Sequence, residues 1–383
     1  MKSFDDFKPQ AEKLLSDLGR IAEPAFKEVK TTRYIVDYLN ANAIPIDHIC
    51  TTGCFGTIEC GAKKTIALRA DIDALPVNTE GSEFKHLCGH HAHTTMLLLA
   101  LKHLVQNKSE LKTNIRYIFQ PAEEIVRGAT FMINEGCLDN CSEVYGIHVD
   151  PRKNIGELLL KPGEMMAGVM TFDLIFRGSG THAAFPHTGN DVLMAATDYT
   201  NLCQKIISRF KDPIKKAVLS FCQLSGGQTY NVLPDTCRIK GTLRYFDKSI
   251  EELAKEKMQA IADAIQLIYD VAIECNFTHG VDPLINNNAA VAKLVDIFKR
   301  SGFEVSTVMD PMMGGEDFAC YLQKCPGAFV NLGIATDGKH PPLHNSDFYV
   351  PVGAMILGIQ FWVELVTNRR IQTNIEALDE QPG

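Results

Sequence analysis

Apolar residues recur every three to four positions over 11–21, 31–42, 94–105 and 128–135, and this spacing predicts four amphipathic helices in the first third of the chain. Between them stand short runs rich in β-branched and aromatic residues: TIALR (65–69), NIRYIF (114–119) and the apolar stretch 144–148. These predict strands. Thr31 or Thr32 is available to cap the second helix. Strands alternating with helices predict a largely parallel sheet covered on both faces.

The pattern changes near residue 168. TFDLIF (171–176), AVLSFCQ (217–223), RIKGTL (238–243) and VAIECNFTH (271–279) read as strands, with long helical patterns at 191–209 and 250–269 between them. Four strands and two helices in about 110 residues predict a small α+β sandwich of the ferredoxin-like kind. After Pro283 the first pattern returns, with helices expected at 289–300 and 352–366. The expected fold is therefore α/β. Residues 1–167 and 283–383 would form one discontinuous domain with a mostly parallel sheet flanked by helices, and 168–282 an inserted α+β domain.

A length of 383 residues suits two domains better than one. The formal net charge of −8 argues against a nucleic-acid partner. No apolar run reaches the ~18 residues of a membrane span. Twelve cysteines are scattered without a recurring spacing, and the first ten residues hold no apolar leader segment, so free thiols in a reducing cytoplasm are expected.

Chemistry concentrates in four places. The first is His86-Leu87-Cys88-Gly89-His90-His91-Ala92-His93, directly before a helix. In an extended segment Cys88 and His90 would share a face. Thiolate and imidazole are ligand types of zinc, manganese, cobalt and nickel sites; the plainer reading is a polar loop capping the helix. The second is Gln120-Pro121-Ala122-Glu123-Glu124, at the C-terminal end of a strand, where open α/β sheets place ligand sites. Adjacent carboxylates point to different places, so one can hold a metal while the other takes a proton from water. The plainer reading is a solvated helix start. His148, at the end of a predicted strand, and His344, in Pro342-Leu343-His344-Asn345, each read alone as an ordinary hydrogen-bonded histidine. Together the four places supply Cys, His, Glu, His and His, enough for two metals sharing one bridging group. The segment GSGTHA (178–183) matches G-x-G-x-x-A, but no βαβ unit surrounds it, so it reads as a glycine turn and an NAD-linked oxidoreductase has no further support.

These motifs resemble the metal-dependent aminoacylases, carboxypeptidases and N-acyl-amino-acid amidohydrolases. The nearest branch holds the hippurate hydrolases, indole-acetyl-amino-acid hydrolases and N-acetyldiaminopimelate deacetylase. The resemblance covers residues 18–366 and is carried by LRADIDALP (68–76), Cys88-Gly89-His90, FQPAEE (119–124), GSGTHAAFPH (178–187), NVLPD (231–235), Gly315-Glu316-Asp317-Phe318 and Leu343-His344-Asn345. It implies a catalytic domain with two divalent ions per subunit, zinc or manganese, with cobalt or nickel as alternatives. It also implies an inserted domain that makes a homodimer and closes over the substrate. Carried over by motif, Cys88, His90, Glu124, His148 and His344 are the implied metal ligands, Cys88 the candidate bridge, and Glu123 the general base. Asp73 would orient a catalytic group, His182 would stabilise the oxyanion, and Asn231 and Arg244 would hold the substrate carboxylate.

The implied reaction is hydrolysis of the amide bond of N-acyl-L-amino acids by metal-activated water. A dipeptidase or carboxypeptidase using the same site, and an inactive metal- or ligand-binding homologue, are the alternatives. Three departures stand out. The usual C-G-H-D is Cys88-Gly89-His90-His91, which leaves open whether His91 replaces the acid or is itself a ligand. The loop 77–85 is short, and Ile21-Ala22-Glu23-Pro24 stands where the branch has a His and a Pro-Glu pair.

Overall fold

The computed structural model describes residues 4–78 and 81–369, so residues 79 and 80 of the short 77–85 loop lie outside the described residues. Contacts between Cα atoms divide the chain into two compact units. The first comprises 1–165, 285–310 and 317–383, and the second 166–284 and 311–316. Residues 311–316 thus group with the second unit, where the sequence pattern assigns everything after residue 283 to the first. The Ala167 amide donates to the carbonyls of Met312 and Gly314, and Met166 forms a parallel bridge with Met312.

The first unit is built on an eight-stranded sheet. Its order across the sheet is His48–Ile49, Cys54–Ile58, Asn114–Gln120, Thr65–Asp71, Glu143–Asn154, Gly327–Ala335, Glu157–Leu159, Glu304–Ser306. The central pairings are parallel, and antiparallel pairs occur toward both margins. Gly327–Ala335 is buried along its whole length and pairs with Glu143–Asn154, yet its mixed run GAFVNLGIA escaped the sequence reading. On one face, helices Lys8–Arg20, Val29–Ala41, His90–Gln106, Asn288–Lys299 and Val352–Thr367 share a continuous apolar core with the strands. The other face is covered in part by Phe318, whose ring would collide with a side chain at Gly146.

Helix boundaries mostly fall within a few residues of the expected ones. The capping expectation fails: Glu28 is the N-cap of Val29–Ala41, and Thr31 and Thr32 lie in its first turn. There Thr32 Oγ1 donates to the Glu28 carbonyl, and Thr31 donates to Glu23.

The second unit has a four-stranded antiparallel sheet in the order Ala217–Gly226, Thr236–Tyr245, Gly168–Arg177, Ala272–Val281. Helices Val192–Lys205 and Lys248–Tyr269 fall after the first and third strands in sequence, which makes a βαββαβ unit. Met170, Phe172, Leu174 and Phe176 alternate toward the buried core formed with these helices, as period two demands. Each helix starts on an Asp cap: Asp191 accepts from the amides of Leu193 and Met194, and Asp247 from that of Ser249.

Candidate metal centre

The centre lies at the C-terminal ends of the parallel strands. Strand Thr65–Asp71 delivers Asp71 and, two residues on, Asp73. Asp73 ties three segments together. Its Oδ1 and its main-chain carbonyl each lie 3.0 Å from His90 Nδ1, and its Oδ2 accepts the Glu124 amide at 3.0 Å. Its carbonyl also accepts from His86 Nδ1 at 3.0 Å. Both groups facing His90 Nδ1 are acceptors, so that nitrogen carries a proton and Nε2 is the one turned to the centre; burial lowers this imidazole, yet Asp71, Asp73 and Cys88 together hold it well above its usual range.

Cys88 and His90 converge by a different route from the extended segment expected of them. Gly89 has φ +89°, a left-handed conformation that glycine adopts freely, and a Cβ there would come within 2.6 Å of Val149 Cγ2. The chain turns at Gly89, and His90 opens helix His90–Gln106. His90 Nε2 then lies 3.7 Å from Glu124 Oε1, 3.8 Å from Glu123 Oε2 and 3.7 Å from Asp71 Oδ2.

His148 stands inside strand Glu143–Asn154 rather than at its end. The neighbouring strand Thr65–Asp71 stops pairing with it at Gly146, which opens that side of the strand just before His148. His148 Nδ1 donates to the Val149 carbonyl at 2.8 Å, and Nε2 lies 3.3 Å from Cys88 Sγ. His344 sits on a loop held against the cysteine segment by its own amide, which donates to the Leu87 carbonyl at 2.8 Å. Its Nε2 lies 3.9 Å from Glu124 Oε2. Glu123 and Glu124 are not at a helix start. They sit in a turn after Ala122, whose φ is +54°, and its carbonyl accepts the amides of Arg127 and Gly128.

The donor atoms of Cys88, His90 and His148 lie within 4.8 Å of one another, and so do those of Cys88, Glu124 and His344. Cys88 belongs to both groups. His90, Glu123 and Glu124 form a further group of the same kind.

The electrostatics match. Burial opposes ionisation of Cys88, but the His148 imidazole, 3.3 Å from Sγ, with His344 and His90 close by, holds the thiol well below its usual range. Burial alone would lower His148, yet the adjacent Cys88 charge raises it to about 9. Burial and Cys88 push Glu124 up to about 8. His90 Nε2 and Glu124 Oε1 are buried and have no hydrogen-bond partner among the described residues. Unpartnered buried polar atoms are costly, and a divalent cation between them would remove that cost. The Cys, His and carboxylate set therefore fits a dinuclear divalent-metal centre.

Sequence reasoning missed the residues behind this layer. His93 Nδ1 donates to Asp71 Oδ1 at 2.6 Å, and His93 Nε2 accepts the Val149 amide at 3.0 Å. With both nitrogens engaged, His93 is a neutral buried bridge, and burial lowers it to about 3. Arg69, 1% exposed, pairs with Asp71 at 2.7 Å, Asp317 at 3.1 Å and Gln120 at 2.8 Å. The fourth histidine in the eight-residue cluster and the polar residues within an apolar strand were the available signals. His91, left open by the sequence, stacks on His86 with ring centroids 4.8 Å apart. Burial keeps both of these imidazoles neutral.

The remaining candidates lie in the second unit. His182 is exposed in the short strand Thr181–His182, where it pairs with Val232, and the Asn231 carbonyl accepts the Ala183 amide, so His182 and Asn231 are neighbours. Arg244 belongs instead to the four-stranded sheet, opposite Val169 and Val218, and burial lowers its pKa.

A parallel α/β sheet with carboxylates, imidazoles and a thiol clustered at its strand ends is the architecture of a metal-dependent hydrolase. Residues 67–368 match the peptidase family M20/M25/M40, and the chain belongs to that family. It is 36% identical over 370 residues to the N-acetyl-L-cysteine deacetylase of Bacillus subtilis, covering 94% of this chain and 88% of the relative. It is 33% identical over 344 residues to the N-acetyldiaminopimelate deacetylase of Lactococcus lactis, covering 86% and 90%. Among solved structures it superposes on the Bacillus subtilis YXEP protein, described as a dinuclear metal binding peptidase from the M20 family. That match has a TM-score of 0.80 and 29% identity, and covers 95% of this chain and 98% of the other. No helix among the described residues is long and apolar enough to cross a membrane.

Proposed function

We propose that the protein hydrolyses the amide bond of N-acyl-L-amino acids, releasing a carboxylic acid and a free amino acid. The observation that carries this reading is the place of Cys88 in two donor groups at once, with His90 and His148 on one side and Glu124 and His344 on the other. Two bound divalent ions, zinc or manganese with cobalt or nickel as alternatives, would lower the pKa of water and polarise the scissile carbonyl. Cys88, His90, Glu124, His148 and His344 would hold them. Glu123, beside His90, accepts the water proton and returns it to the leaving amine. Asp73 orients His90 and the Glu124 segment. On the motifs, His182 stabilises the oxyanion, and Asn231 and Arg244 bind the substrate carboxylate. The βαββαβ unit, placed at 168–282 by sequence, is read as a ferredoxin-like domain that dimerises the protein and acts as a lid, in a cytoplasmic enzyme.

The acyl-amino-acid reading is supported by two relatives named as N-acetylcysteine and N-acetyldiaminopimelate deacetylases. A carboxypeptidase or dipeptidase is the second reading, because a Saccharolobus solfataricus relative 34% identical over 354 residues is named a thermostable carboxypeptidase. The experiment is a chelated and reconstituted preparation assayed on N-acetyl amino acids, N-terminally blocked peptides and free dipeptides. Turnover of the acetyl amino acids that vanishes on chelation and returns with metal is expected. Undiminished turnover in metal-stripped protein would overturn the mechanism, and a clear preference for peptides would overturn the substrate assignment.

A further inference from the structure

A second group of metal-ligand side chains lies at one edge of the same sheet. His48–Ile49 is the edge strand, paired antiparallel with Cys54–Ile58, and the Cys50 amide closes the turn by donating to the Gly53 carbonyl at 3.0 Å. Glu135 caps the C-terminal end of helix Gly128–Asn134. These two segments meet through His48 Nε2 and Glu135 Oε2, 2.8 Å apart. The donor atoms of His48, Cys50 and Glu135 all lie within 4.8 Å of one another.

The strand register separates this group from the first centre. His48 faces Phe55, Phe55 faces Ile118, Ile118 faces Arg69, and Arg69 faces Gly146 on the strand that carries His148. Two strand spacings, roughly 10 Å, separate the edge strand from the strand that leads into Glu123 and Glu124, and four, roughly 19 Å, from the strand that carries His148.

We propose that His48 Nε2, Cys50 Sγ and Glu135 Oε2 form a separate site for one zinc-class divalent cation, which clasps the 48–54 hairpin to the end of helix Gly128–Asn134. One thiolate, one imidazole and one carboxylate are ligand types that zinc accepts, and a water completes four-coordination. In a tetrahedral zinc site such donors stand roughly 3.3–3.6 Å apart, so the group needs only small side-chain adjustments. The His48 and Glu135 side chains are 43% and 37% exposed, which leaves an entry path and room for the water. Burial, followed by the Glu135 charge, pushes the Cys50 thiol up to about 11. A cation would reverse both effects, with release of the thiol proton.

The test uses the full chain, stripped of metal and titrated with Zn²⁺ under equilibrium dialysis. Wild type is expected to take up one equivalent more than Cys50→Ser, and Glu135→Gln, at an exposed position, to weaken that extra equivalent at least tenfold. With Co²⁺ in a Cys88→Ser background, the near-ultraviolet thiolate-to-cobalt band should persist, and it should vanish in Cys50→Ser/Cys88→Ser. Equal uptake by wild type, Cys50→Ser and Glu135→Gln, with no thiolate band in Cys88→Ser, would overturn the proposal.

Discussion

Asp73 Oδ1 lies 3.0 Å from His90 Nδ1, and that contact selects which nitrogen of His90 faces Glu123 and Glu124. The other oxygen of Asp73 accepts the Glu124 amide, so one carboxylate orients two members of the donor set. Asp73→Asn can keep only one of these bonds, because its amide nitrogen cannot accept. Metal affinity should fall by about 10–100-fold, read by competition with a chromophoric chelator. Unchanged affinity would show that Asp73 does not orient the ligands.

Glu123→Gln removes a base and leaves the shape of the turn intact. Metal content should stay at the wild-type level, while kcat drops by about 10²–10⁴-fold. Elemental analysis and steady-state kinetics on the same preparation check both halves. Surviving turnover would transfer the base role to another group.

Glu28 is fully buried, with Oε1 accepting the Ala122 amide at 2.8 Å and Oε2 unpartnered among the described residues. Burial pushes its pKa from 4.5 up to about 7. The folded chain therefore holds this proton more tightly than the unfolded one. The associated stability is fully present below about 4.5 and is lost as pH rises through about 7, a loss of roughly 3 kcal/mol. Glu28→Gln stays neutral and keeps the acceptor, so it should gain on wild type by about that amount at pH 8 and not at pH 4. Urea unfolding of both proteins, metal-stripped, at the two pH values measures the difference; a constant gap would refute the assignment.

Gly128 closes the turn that carries Glu123 and Glu124. A Cβ there would lie 1.5 Å from the Pro121 carbonyl oxygen, a backbone atom that can move only with the turn itself. Gly128→Ala should destabilise the fold by about 3 kcal/mol or more and weaken metal binding with it. Thermal unfolding and chelator competition report the two effects, and near-wild-type values for both would show that the turn has slack.

Much of this protein is written in local pattern. Period-3.6 runs marked the helices around His90–Gln106 and Val352–Thr367, and the change of pattern near residue 168 marked the excursion into a second kind of sheet. The types of the five ligand candidates, and the paired Glu123 and Glu124, were also legible, because ligand and base chemistry belongs to the residue itself.

Other features needed the folded chain. The central strand Gly327–Ala335 carries no alternation, since both its faces are buried, and periodicity is silent there. Cys88 and His90 meet because Gly89 takes a left-handed turn, where an extended segment was expected. The neutral bridge of His93 between Asp71 and Val149, and the stacking of His91 on His86, depend on partners that sequence spacing does not reveal. Sequence alone determined which chemistry was available and on which kinds of element. Tertiary structure decided that residues 73, 88, 90, 124, 148 and 344 converge, because strand order in a parallel sheet joins segments far apart in the chain. It also decided which nitrogen of His90 and of His148 faces a main-chain or carboxylate acceptor and which is turned to the centre, because that depends on the acceptor the fold places beside it.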